Sequence, residues 1–166
     1  MKNLTELIAK YGDKEIDEKK FKELFDIKDS KVFIPKYGER YWFAREDGGV
    51  SDFFFDDDYT DNEILKHTEV YRTEKEAKFA RDKRAFKVKM KRDFSENSDE
   101  IDWGNGNQVK YFLYFNHMYE DIRIDWRRVY RFEGTLYTTN EEWLKQYIKD
   151  NEANIKKYVF EIKEDE

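Results

Sequence analysis

The feature that most constrains the fold is an order of local motifs that occurs twice: an aromatic hairpin, a short strand, a capping box and a helix. From Tyr41 in the first hairpin to Thr73 in the first capping box is 32 residues, and from Tyr111 to Thr139 is 28. The same order at nearly the same distances indicates a repeated unit. We therefore predict an α+β fold of two similar βββα units, each an antiparallel sheet with a packed helix. The alternative is coincidence, since capping boxes are common.

In the first copy, aromatic strands at 41–43 and 50–55 flank the turn Glu46-Asp47-Gly48-Gly49. An Asp-Gly turn between such runs is a strong hairpin signal. A third short strand is predicted at 70–72, after an acidic loop. The sequence Thr73-Glu74-Lys75-Glu76 then predicts a helix, because Thr73 and Glu76 can each accept a hydrogen bond from the other's backbone amide. This helix should run from Glu74 to about Arg92, with five candidate buried positions: Ala77, Phe79, Ala80, Phe86 and Met90.

In the second copy, runs at 111–115 and 122–126 predict a hairpin, and 136–138 predicts a short strand. Thr139-Asn140-Glu141-Glu142 is a second capping box with Thr139 as its cap. The helix after it has five apolar residues at helical spacing: Trp143, Leu144, Tyr147, Ile148 and Ile155. The segment after that helix is predicted to add a last strand or to pack as a tail.

The predicted organisation has three parts. Residues 1–36 form a short N-terminal helical segment with two apolar stripes at helical spacing, residues 37–95 form the first βββα unit, and residues 107–166 form the second. The intervening 95–106 is rich in Asn, Ser, Asp and Gly, which favours a loop. Because a lone hairpin is marginally stable in water, we expect the two units to pack together.

Composition argues against a catalytic protein. The chain has no cysteine and two histidines, so a thiol nucleophile and thiolate-bound zinc are excluded and a histidine-rich metal site has too few ligands. We predict no enzyme, no cofactor and no metal. The absence of cysteine fits a reducing compartment. With no continuous apolar run at the N-terminus and none long enough to span a bilayer, we predict a cytoplasmic protein that does not contact membranes.

The most unusual charged segment runs from Glu46 to Glu63, where eight acidic residues stand without a lysine or an arginine. Three consecutive phenylalanines and a tyrosine are interleaved with them, so rings can anchor carboxylates that point to solvent. Such a surface can occupy a basic groove, where carboxylates take the place of nucleic-acid phosphates. The other interpretation is a solvated edge kept soluble by charge. The predicted partner-binding residues are Asp52, Phe54, Asp56, Asp57, Asp58, Tyr59, Asp61 and Glu63.

A calcium loop is a weaker interpretation of the same segment. Counted from Asp56, oxygen ligands stand at the first, third and fifth positions. However, Asp61 occupies the position of the turn glycine and His67 that of the bidentate glutamate. The segment therefore departs from the pattern at both residues on which the loop geometry depends, and whether it binds a divalent ion stays open.

The predicted helix after Thr73 has the opposite character. From Glu74 to Arg92 it carries nine basic and three acidic residues. A basic helix beside a sheet can contact a phosphate backbone, so a nucleic-acid-binding regulator is the alternative function. A solvated helix is the simpler interpretation, and the net charge of −6 disfavours general nucleic-acid binding. The candidate nucleic-acid-binding residues are Lys83, Arg84, Lys87, Lys89 and Arg92.

Several of these motifs together resemble small, uncharacterised accessory proteins of phages and mobile elements of low-GC Gram-positive bacteria. The resemblance rests on Tyr41-Trp42-Phe43 with its Asp-Gly-Gly turn, on 70–77, on 109–115 and on Ile124-Asp125-Trp126. Such proteins include inhibitors of host defence, among them anti-CRISPR proteins, but the motifs have no catalytic role to carry over. The resemblance implies an inhibitor in the bacterial cytoplasm whose partner is a host protein or ribonucleoprotein with a basic groove. Whether it forms a homodimer stays open.

Overall fold

The computed structural model describes residues 32–162. The helices predicted within the first 31 residues lie outside the described residues. All the described elements belong to the compact unit that begins at Pro35. They are, in chain order, β1 (Arg40–Ala44), β2 (Val50–Phe54), α1 (Tyr59–His67), β3 (Val70–Tyr71), α2 (Glu74–Glu96), β4 (Lys110–Asn116), β5 (Asp121–Arg127) and α3 (Glu141–Tyr158). The predicted α+β class is confirmed, whereas the predicted domain boundaries stay predictions.

The first sheet has three antiparallel strands in the order β2-β1-β3. Its hairpin turns where the sequence predicts, with Gly48 at a φ of 85°. The capping box of α2 is also confirmed: the Thr73 amide donates to the Glu76 carboxylate at 3.0 Å, and the Glu76 amide donates to the Thr73 hydroxyl at 3.2 Å. The helix runs four residues beyond Arg92, to Glu96, and it packs against all three strands.

Between β2 and β3 the structure has a helix, α1, where the sequence analysis predicts only an acidic loop. Asp58 is its N-cap, and its carboxylate accepts a hydrogen bond from the Asp61 amide at 2.8 Å. An aspartate side chain in this position satisfies one of the amides that the first helical turn leaves without a partner. The prediction of a loop was wrong because three consecutive aspartates were interpreted as a solvated acidic stretch, although the last of them, Asp58, is a helix cap.

The second sheet pairs β4 with β5 over seven residues. The predicted third strand of this unit is reduced to one bridge, in which Tyr111 and Thr138 exchange two backbone hydrogen bonds. The predicted cap of α3 is wrong by one residue: Asn140 accepts from the Trp143 amide at 3.0 Å. Thr139 instead accepts from the Asp99 amide at 2.9 Å and so ties the loop after α2 to the start of α3.

The apolar core lies where α2 and α3 meet the β4-β5 hairpin. Its buried members are Phe86, Met90, Phe94, Leu144, Tyr147 and Ile155, and Tyr111, Leu113, Ile122 and Ile124 pack against them from the sheet. Of the positions predicted to be buried on α2, Ala77, Phe86 and Met90 are buried, whereas Phe79 and Ala80 are half-buried. After α3, Val159 and Phe160 pack on the same core as a tail and form no strand.

None of the helices among residues 32–162 has both the length and the apolar character needed to cross a membrane.

Candidate partner-binding surface

The acidic loop between β2 and α1 is held in place by one buried carboxylate. Asp61 is only 3% exposed. Its Oδ1 accepts a hydrogen bond from the Tyr41 hydroxyl of β1 at 2.6 Å, and its Oδ2 accepts from the amides of Asp56 and Asp57 at 2.8 and 3.1 Å. Three donors therefore satisfy the buried group, and the backbone of the loop is fixed to the first sheet.

These contacts also determine the ionisation states of Asp61 and Tyr41. Burial acts to raise the pKa of Asp61, but the hydrogen bonds from the Tyr41 hydroxyl and the Asp56 amide outweigh burial, and the pKa is lowered. Burial, with the hydrogen bond to Asp61, raises the pKa of Tyr41. Asp61 is therefore ionised at neutral pH and Tyr41 is protonated. The sequence analysis missed the role of Tyr41, because the two residues are 20 positions apart in the chain.

The side chains around this anchor face solvent. Asp56, Asp57 and Asp58 are exposed, and two aromatic residues flank them: Phe54 is 64% exposed and Tyr59 is 79% exposed. We call these five residues the acidic aromatic surface. The contact with the Asp61 carboxylate, with burial as the second cause, raises the pKa of Asp56. The surface thus presents three adjacent carboxylates in a stretch that begins with Phe54 and ends with Tyr59. Two of them also accept hydrogen bonds within this region: Asp58 from the Asp61 amide at 2.8 Å, and Asp57 from the Asn62 side chain at 3.3 Å.

The remaining predicted partner-binding residues have other contacts. Asp61 was wrongly placed among the contact residues, since it is buried. Asp52 pairs with Arg40 at 2.8 Å. Glu63 lies 3.7 Å from the Lys66 ammonium and 3.5 Å from the His67 imidazole. Asp52 and Glu63 thus already have cationic or ionisable neighbours, whereas Asp56, Asp57 and Asp58 have none within ion-pair distance among residues 32–162.

Three carboxylates of this region are the residues best placed to hold a metal ion among those described. Oxygen atoms of Asp56, Asp58 and Asp61 all lie within 4.8 Å of one another. Hard cations such as Ca²⁺ and Mg²⁺ prefer such oxygen ligands. Both oxygens of Asp61, however, already accept hydrogen bonds from the protein, and Asp58 accepts one from the Asp61 amide. The fold thus uses two of the three carboxylates, those of Asp58 and Asp61, in its own hydrogen bonds.

The alternative nucleic-acid-binding residues on α2 fall into two groups. The Lys83 ammonium donates to the Glu161 carboxylate at 2.6 Å, and Lys89 pairs with Asp93 at 2.5 Å. Arg84, Lys87 and Arg92 are exposed and have no carboxylate within ion-pair distance in the described part of the chain. The predicted set is therefore not one continuous cationic surface.

Residues 9–93, just over half of the chain, match the family model described as methylamine dehydrogenase heavy chain (MADH), and by this match the chain belongs to that family. The matched stretch ends within α2, so β4, β5 and α3 lie outside it. The comparison with curated proteins found no match, and neither did the comparison with solved structures.

Proposed function

We propose that the protein is a non-catalytic, anti-CRISPR-like inhibitor of phage or mobile-element origin that occupies the basic groove of a host nucleic-acid-handling complex. The acidic aromatic surface is the contact, and its carboxylates take the place of phosphates. The observation that carries the proposal is the buried Tyr41–Asp61 hydrogen bond, which holds the backbone of Asp56 and Asp57 through the second oxygen of Asp61.

Carboxylates on an ordered loop can occupy a groove at a lower entropic cost than carboxylates on a flexible loop. Ordering a flexible loop on binding costs free energy, and this loop is ordered before it meets a partner. The carboxylates of Asp56, Asp57 and Asp58 also have no lysine or arginine within ion-pair distance among residues 32–162, unlike Asp52, which pairs with Arg40. An acidic edge that served solubility alone would need no buried anchor.

The two rings give the surface a second kind of contact. Exposed aromatic residues beside charged groups are typical anchors of protein interfaces, because they bury a large area with little loss of side-chain freedom. Phe54 precedes the three carboxylates in the chain, Tyr59 follows them, and both rings are exposed. Binding should therefore depend both on charge, which salt screens, and on the rings, which salt affects less.

The test is capture of partners from lysates of phage-sensitive bacteria by the tagged protein, with and without nuclease, read by mass spectrometry. We expect a nucleic-acid-binding protein that survives nuclease treatment and that added nucleic acid releases, since both ligands compete for one groove. A captured signal that disappears with nuclease would contradict direct contact and favour the alternative, a nucleic-acid-binding regulator.

The matched variants carry the same change of charge at two places. Asp56→Lys/Asp57→Asn alters the acidic aromatic surface and leaves the cap Asp58 intact; Asn is chosen because Asp57 has a φ of 62°, which asparagine tolerates. Glu133→Lys/Glu120→Gln is the control, with exposed residues of the second unit and a φ of 53° at Glu120. We expect the first to lower partner affinity by at least about tenfold. Equal losses in both would mean that only net charge matters.

The non-catalytic part of the proposal has its own test. The family description names a dehydrogenase of methylamine, so the purified protein is assayed for reduction of a redox dye in the presence of methylamine. We expect no turnover above the buffer, because the acidic aromatic surface presents carboxylates and rings only. Turnover by the purified chain would contradict the proposal.

A further inference from the structure

A groove between the β1-β2 turn and α2 is lined mainly by cationic side chains. Its volume is about 310 Å³. Arg45 and Glu46 line it from the turn, and the lining residues from α2 are Arg81, Arg84, Ala85, Val88, Lys89 and Arg92. Five cationic residues thus surround the groove with a single acidic one. A cavity of this size falls at the lower end of the range for small-molecule sites.

Three of the five cations are already paired within the protein. Arg45 donates to the Asp47 carboxylate, Arg81 pairs with Asp82 and Lys89 pairs with Asp93. Arg84 and Arg92 have no carboxylate at ion-pair distance among residues 32–162. Arg84 and Arg92 are therefore the two lining cations without an ion-pair partner in the described part of the chain. The planar donors of a guanidinium suit the oxygens of a phosphate.

The floor of the groove is apolar. Ala85 and Val88 lie one turn apart on α2 between the two arginines, and Val88 is 43% exposed. An exposed β-branched side chain between guanidinium groups offers a surface against which a flat ring can lie. A ligand that carries both a phosphate and a planar apolar group satisfies both features, whereas a simple anion satisfies only the first.

We propose that this groove binds a nucleotide, either free or within a nucleic-acid strand. Its phosphate is held by Arg84 and Arg92, and its base lies against Ala85 and Val88. The site is separate from the acidic aromatic surface and does not depend on the proposed inhibition. It also differs from the basic helix of the sequence analysis, because Arg45 of the hairpin lines it on the side opposite α2 and it does not use Lys83 or Lys87.

The experiment measures anisotropy of a fluorescent ATP analogue with the full chain at low salt. Unlabelled ATP, a short single-stranded DNA and pyrophosphate serve as competitors. Binding of the analogue that unlabelled ATP displaces supports a free nucleotide. Binding of labelled single-stranded DNA in the same assay, without binding of the analogue, supports a nucleotide within a strand. Pyrophosphate should compete more weakly than either, because it has no base. Absence of binding by the analogue and by labelled DNA would overturn the proposal, as would pyrophosphate competing as well as ATP.

Two variants with equal charge loss on one helix locate the site. Arg84→Gln/Arg92→Gln should weaken binding by about tenfold or more, since each charged hydrogen bond contributes to affinity. Lys75→Gln/Lys91→Gln, which changes exposed residues of α2 outside the groove, should change it by less than about twofold. Equal losses would overturn the proposal in favour of binding along the whole helix.

The variant Arg45→Gln distinguishes a ligand bound in the groove from a ligand bound along α2 alone. Because Arg45 lies on the hairpin, its loss should weaken binding only if the ligand sits between the two elements. The thermal midpoint of this variant is measured in parallel, since Arg45 also contacts Asp47 in the turn. Unchanged affinity in a folded Arg45→Gln protein would contradict a ligand held between the turn and α2.

Discussion

The two sheets of this protein are stabilised by different kinds of contact. The first sheet buries few apolar side chains, chiefly Tyr41, Ala44 and Val70, and its distinctive contact is the polar one between Tyr41 and Asp61. The second sheet lies on an apolar cluster built by two long helices. Burial of apolar area is the main source of stability, whereas a satisfied buried hydrogen bond fixes position. The second region thus stabilises the fold, and the first positions the surface proposed to bind.

The largest effect should come from the apolar cluster. Leu144→Ala removes a side chain that is 0% exposed between α2 and the second sheet. We expect a loss of about 2–5 kcal/mol in the free energy of unfolding, from lost transfer energy and a cavity. Urea unfolding followed by tryptophan fluorescence measures this loss. Val129→Ala, at a 60% exposed position, is the control and should change stability by less than about 0.5 kcal/mol. A loss as small as this for Leu144→Ala would contradict the conclusion that the apolar cluster stabilises the fold.

A smaller effect should follow from loss of the polar contact. Tyr41→Phe removes one donor to the buried Asp61 carboxylate, which keeps its two backbone donors. We expect a cost of about 1–3 kcal/mol. Tyr37→Phe is the same chemical change at a residue that is 80% exposed and should be close to neutral. Partner capture should also weaken in Tyr41→Phe, because the loop loses its attachment. Unaltered stability and capture would show that the loop does not depend on this contact.

The smallest effect concerns the start of α3. Asn140→Ala removes the cap that accepts from the Trp143 amide, and we expect a loss of about 1 kcal/mol. Thr73→Ala, at the cap of α2, should cost a similar amount. Thr139→Ser keeps a hydroxyl for the Asp99 amide and should be nearly neutral. All three are read from urea unfolding curves. Unchanged stability of Asn140→Ala would contradict Asn140 as the cap of α3.

Much of the fold could be predicted because its signals are local. The Asp47-Gly48 turn and the Thr73 capping box each depend on residues within four positions of one another, and both are present as predicted. The cap of α3 was misplaced because Thr139 and Asn140 both have a side chain suited to capping. The predicted third strand of the second unit is only a single bridge. Strand pairing depends on partners that are distant in the chain, and the strand propensity of the residues themselves does not describe those partners.

The candidate site was predicted only as a segment. The sequence identified the acidic stretch and its rings, but Asp56 and Asp61 are the same residue type and local sequence offers no basis for deciding which is buried. That decision depends on Tyr41, which reaches Asp61 across the first sheet. The same limit applies to the cations of α2: Lys83 is paired because Glu161, 78 residues away in the chain, lies beside it.

The sequence by itself determined the two hairpins and the two long helices, because turns, caps and helical periodicity are set by neighbouring residues; it did not determine α1 or the extent of the third strand in the second unit. Tertiary structure alone decided which charges are buried, paired or exposed, because those properties depend on groups brought together from distant parts of the chain. The acidic aromatic surface and the groove beside Arg84 and Arg92 both follow from that second kind of information. Each consists of the charges that remain accessible after the fold has paired or buried their neighbours.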